Sequence, residues 1–62
     1  MLEYFKTILS KVSFDRILFE KELRKAIRAL IPDEVEKLRH WCYEKFSHLY
    51  HSVLQTCFYQ TS

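Results

Sequence analysis

Four side chains in the C-terminal half stand at spacings that could hold a metal ion: His40, Glu44, His48 and His51, at i, i+4, i+8 and i+11. An imidazole and a carboxylate one helical turn apart can chelate a divalent cation such as zinc. The order is not HExxH, and no third ligand is fixed from elsewhere in the chain. The expectation is therefore a solvated stripe that gains charge below about pH 6.5, with no metal and no cofactor.

Two thiols come next. Cys42 and Cys57 are 15 residues apart, which on one straight helix is about 22 Å, far beyond disulfide reach. Both fall on apolar positions, where cysteine behaves as a small hydrophobe. A nucleophilic thiol wants a cationic or helix-N-terminal setting, and Cys57 lacks one. With no Ser/His/Asp grouping, no phosphate-cradling loop and no paired carboxylates, the chain is read as non-enzymatic.

Lys21, Arg24, Lys25 and Arg28 form a basic strip that could meet phosphates of nucleic acid or of a lipid surface. Glu20 and Glu22 interrupt it, and cations near a helix C-terminus also answer the helix dipole. A net charge of +2 is too small to imply a nucleic-acid or membrane partner by itself. Nucleic-acid contact through this strip is the second functional reading, and no membrane partner is expected.

The aromatics weigh more. Trp41, Tyr43, Phe46, Tyr50, Phe58 and Tyr59 all lie toward the C-terminus, and such rings dominate both cores and interfaces. Trp41, Tyr43, Tyr50, Leu54 and Phe58 are the interface candidates.

These groups need elements to hold them. Sixty-two residues with no Gly and one Pro offer few ways to build tight hairpins, and strand-period alternation is absent, so the class is all-α. Leu2, Phe5, Ile8, Leu9 and Val12 predict a helix over 2–12. Ser13 as N-cap, with Asp15 in the first turn and a Val12–Ile17 staple, starts a second helix over 14–30. Phe19, Leu23, Ala26, Ile27 and Leu30 are its inner face, widened by Ile17 and Leu18. Pro32 stops it, because proline breaks the ladder and drives Ile31 out of helical angles.

The same Pro32 opens a third helix over 32–58, with Leu30 and Val35 as a second staple. Val35, Leu38, Cys42, Phe46, Leu49, Val53 and Cys57 make its stripe. Tyr43, Tyr50 and Leu54 broaden it to one side and Trp41 to the other. As a straight rod this helix is about 39 Å long, against roughly 25 Å for the second. The half from Leu49 to Phe58 then needs cover from helix one or from another chain.

The expected architecture is a single helical domain, 1–62, in which two short helices pack on one long C-terminal helix. The expected function is a small protein–protein interaction module that self-associates, most simply as a homodimer, through the apolar face of the C-terminal helix. A helical protein partner is the variant of that reading. Glu3 and Lys6 interrupt the N-terminal apolar stretch, and the longest uncharged run, Phe46 to Ser62, is too polar to span a bilayer. The expected setting is the bacterial cytoplasm. Residues 59–62 are expected to fray.

Overall fold

Phe5 and Leu9, one turn apart, are the buried pair that makes α1 (Leu2–Lys11) dock rather than melt. The computed structural model describes residues 1–59. Within them α1 is followed by α2 (Arg16–Ala29) and α3 (Pro32–Tyr59), an all-α bundle. The fraying expected for residues 60–62 lies outside the described residues, and Tyr59 is helical.

The start of α2 differs from the expected one by two residues. Asp15, not Ser13, is the N-cap: its Oδ1 accepts from the amides of Ile17 at 2.9 Å and Leu18 at 3.1 Å. Two amides that helix geometry leaves orphaned are thereby satisfied by a charged acceptor at the positive helix end. The Ser13 hydroxyl instead donates to the Ser10 carbonyl at 3.0 Å, closing the end of α1. Ile17, two residues before Phe19, stands about 200° from it and so on the outer face of α2. Ile17 and Leu18, expected on the inner face, are 79% and 38% exposed, so the Val12–Ile17 staple is not made. Phe19, Leu23, Ala26 and Leu30 form the inner face as expected, with Ile27 partly buried against it.

Leu30 leaves the helix in an extended conformation (φ −91°, ψ 150°), and the Val35 amide takes up the Ile31 carbonyl at 2.9 Å to begin α3. Leu30 and Val35 both join the core, in keeping with the second staple. α2 packs most extensively on α3, and α1 covers both.

The straight rod is the main expectation that fails. Tyr50 has non-helical backbone angles (φ −128°, ψ 32°), and α3 turns there. A 28-residue helix would run about 42 Å, whereas the longest extent of the molecule is 26 Å. Beyond the bend the chain doubles back. Arg39 Nη1 donates to the Tyr59 hydroxyl at 3.0 Å, and the Tyr43 and Phe58 rings lie 6.5 Å apart. On a straight helix the first pair would be about 30 Å apart. The result is an up-down-up-down path whose fourth segment is the second arm of α3.

The bend exists because it lets residues 51–59 bury their own stripe. Val53, Leu54 and Cys57 enter the core beside Leu38, Cys42 and Phe46. Leu49, which a straight helix would keep on the stripe, is left 62% exposed. At the centre Phe19 stacks on Tyr50 (4.7 Å, 25°) and meets Phe46 edge-on (5.0 Å, 68°). The Tyr50 hydroxyl donates to the Ser13 carbonyl and so ties the α3 bend to the α1–α2 turn. Among the described residues no buried side-chain polar atom lacks a hydrogen-bond partner.

Candidate docking surface

Four of the five side chains expected to face a partner, Trp41, Tyr43, Tyr50 and Phe58, are partly buried against the core, and the fifth is sealed. Leu54 is fully buried, and Tyr50 is sandwiched between Phe19 and the Ser13 carbonyl. Tyr43 packs on Phe58 and meets His51 edge-on at 6.1 Å. Trp41 sits edge-on to Phe46 at 5.5 Å, with the ammonium groups of Lys6 and Lys45 at 5.8 and 6.0 Å from its ring. Part of the apolar face expected of α3 is covered by its own second arm, while Trp41, Tyr43, Tyr50 and Phe58 keep some exposed surface and Leu49 most of its own.

The thiols move with it. Cys42 and Cys57 are both buried, and the bend removes the 22 Å separation expected of a straight helix. The Cys42 thiol is pushed up to about 12, chiefly by burial and then by nearby Cys57, against a smaller lowering by Lys6. Burial also raises Cys57, partly offset by Arg24. Thiols held this firmly protonated are poor nucleophiles.

The histidine stripe stays dispersed. His40 Nε2 lies 3.5 Å from a Glu36 carboxylate oxygen, whereas His51 is beside Tyr43. Among the described residues no group of three or more His, Cys, Asp or Glu side chains gathers as a metal site.

The basic strip divides. Arg24 is pinned to Glu20 through Nη2 at 2.9 Å and Nε at 3.3 Å. That bond is the main cause raising its already high pKa. Lys21, Lys25 and Arg28 remain exposed.

What the structure leaves open is elsewhere. Phe14 is 81% exposed and Ile17 79%, both at the α1–α2 turn, with Leu18 beside them. Leu49 belongs to the same end of the bundle, because its neighbour Tyr50 is bonded to Ser13. A shallow depression lined by Ser10, Ser13, Lys45 and Phe46 joins the two bends. Lys11, Arg16 and Lys45 are exposed around it. Sequence reasoning places Ile17 and Leu18 in the core and gives Phe14 no role. For Ile17 the signal is the helical wheel itself: it stands about 200° from Phe19, in line with Lys21, Arg24 and Arg28 on the outer face.

No helix among the described residues is long and apolar enough to cross a membrane. The chain is thus an all-α bundle whose most exposed large apolar side chains, Phe14 and Ile17, sit at one turn. Compared with protein-family models, curated proteins and solved structures, it has no significant match.

Proposed function

We propose that the chain is a small non-enzymatic interaction module that presents one apolar pole, built on the α1–α2 turn and the α3 bend, to another macromolecule. The observation that carries this is the exposure of Phe14 and Ile17, the highest among the large apolar side chains of the described residues. Isolated exposed apolar residues are ordinary, but two of the most exposed at one turn, with Lys11 and Arg16 flanking them in sequence, are the pattern of a contact surface. The raised thiol pKa values and the dispersed histidines support a non-catalytic role. Two core thiols suit a reducing compartment such as the cytoplasm. A second copy would meet this pole rather than α3, part of whose expected docking face is packed within the chain.

Site-specific photo-crosslinking in cells tests the reading. A benzophenone side chain replacing Phe14 should give crosslinked adducts, protein or lipid, in higher yield than one replacing Lys25. Equal yields, or none from position 14, would remove the pole from consideration. The second reading, phosphate contact with nucleic acid through α2, is favoured by the exposure of Lys21, Lys25 and Arg28. It requires an affinity that falls with salt at a log–log slope of about −0.9 per phosphate contacted.

A further inference from the structure

The pole has a chemistry that narrows what it meets. Its apolar members are Phe14 at the apex of a turn, Ile17 one turn into α2, and Leu49 at the α3 bend, all strongly exposed. Its cations are Lys11 at the end of α1, Arg16 at the start of α2, and Lys45, which lines the depression between the bends and whose ammonium also lies 6.0 Å from the Trp41 ring. The acids nearby are Asp15, whose carboxylate is engaged by two backbone amides, Glu20, which is paired with Arg24 in a second depression that Ile17 and Lys21 also line, and Glu44. The overall charge of +2 conceals this clustering, because Asp33, Glu34 and Glu36 lie at the opposite end, where α3 begins.

We propose that the pole docks on an anionic lipid bilayer, Phe14, Ile17 and Leu49 entering the headgroup layer while Lys11, Arg16 and Lys45 meet lipid phosphates. This rests on the pole being the docking surface and names its occupant. Three arguments favour a bilayer over a second copy. Symmetric pairing through the pole would bring the same cations face to face. A stable protein interface takes about 800 Å² per partner, near a fifth of the 4242 Å² this molecule exposes, and three side chains on a convex tip fall short of that. A bilayer asks for no complementary pocket: apolar side chains projecting from a turn, ringed by Lys and Arg, are what an interfacial contact uses. No helix need span the membrane for this, and none among the described residues does.

The test is co-sedimentation of the full chain with vesicles of phosphatidylcholine alone or mixed with phosphatidylglycerol. Binding is expected to the mixed vesicles and not to the neutral ones, and to weaken as salt rises from about 0.05 to about 0.5 M. The double variant Phe14→Ser/Ile17→Ser should bind at least about tenfold more weakly, and Lys11→Glu/Lys45→Glu should lose binding as well. Both variants alter exposed side chains, so circular dichroism melts matching the parent show that the fold is kept. Absence of binding to the mixed vesicles, or full binding by the serine variant, overturns the proposal. Sedimentation velocity supplies the other arm. A dimer that Phe14→Ser/Ile17→Ser converts to monomer means that the occupant is a second copy, which overturns the lipid assignment and leaves the docking pole intact. Photo-crosslinks from position 14 to protein, with no vesicle binding, overturn the lipid assignment in the same way.

Discussion

Phe19 is the side chain on which most of the packing converges, touching both Phe46 and Tyr50 with no exposed surface. Phe19→Ala should cost about 3–5 kcal/mol in urea denaturation, enough to unfold so small a chain at ordinary temperature. A loss under about 1 kcal/mol would mean that the ring is not central. The cap is a sharper test of detail. Asp15→Ala should lower stability by about 0.5–2 kcal/mol, whereas Ser13→Ala, which loses a bond to Ser10 in an exposed setting, should cost much less. Reversal of that order would restore Ser13 as the cap. Arg39, chiefly through its hydrogen bond, holds the Glu36 carboxyl below the ordinary 4.5. A carboxyl lowered in the folded state contributes stability above its unfolded pKa, and that contribution is lost as pH falls through the folded value. Glu36→Gln should therefore lower the melting temperature slightly at neutral pH and flatten part of the acid limb below about pH 4.5, so that the two profiles converge in acid.

At the scale of elements the sequence shows the helices and hides the turn in the last one. Apolar spacing and the Pro32 stop mark three helical stretches, because a period of 3.6 and a missing amide are local facts. The α2 cap is ambiguous for a local reason too: Ser13 and Asp15 are both good caps, and the choice between them turns on how α1 ends. The bend at Tyr50 carries no glycine or proline signal. Its trace is a change of phase. Val35, Leu38, Cys42 and Phe46 make one stripe, and Tyr50, Val53, Leu54, Cys57 and Phe58 make another. Leu49 satisfies a single continuous stripe but is exposed in the fold. Two-dimensional NMR in solution should show contacts between the Tyr43 and Phe58 rings, 15 residues apart in sequence. A continuous helix would separate them by about 22 Å, so absence of such contacts would mean that α3 is straight.

For the molecule as a whole, the residues of the proposed pole are not legible in the sequence, where the expectation of contact rather than chemistry rests on composition alone. Aromatic richness and few catalytic groupings point to contact rather than chemistry, and that reading does not need the fold. Which rings face outward depends on the tertiary path, and the bend turns Tyr43, Leu54 and Phe58 inward. Global stability can be followed through the thiols. Cys42, buried and held protonated up to about 12, should react with iodoacetamide at neutral pH only when the bundle opens. Its labelling rate should then track urea-induced unfolding and rise with Phe19→Ala. Fast labelling of Cys42 in the native state would show an opening local to α3.

The reversal at Tyr50 also bears on how the polypeptide is made. Val53, Leu54 and Cys57 seal the interior from its C-terminal side, so a nascent chain leaves Phe19, Leu23 and Leu38 wet until those residues emerge. At about 5–20 residues per second, translating the stretch between α2 and Cys57 occupies roughly 1–6 s. Helical bundles rich in local contacts close in microseconds to milliseconds. Emergence from the ribosome, not folding speed, therefore sets how long chaperones have to find this protein.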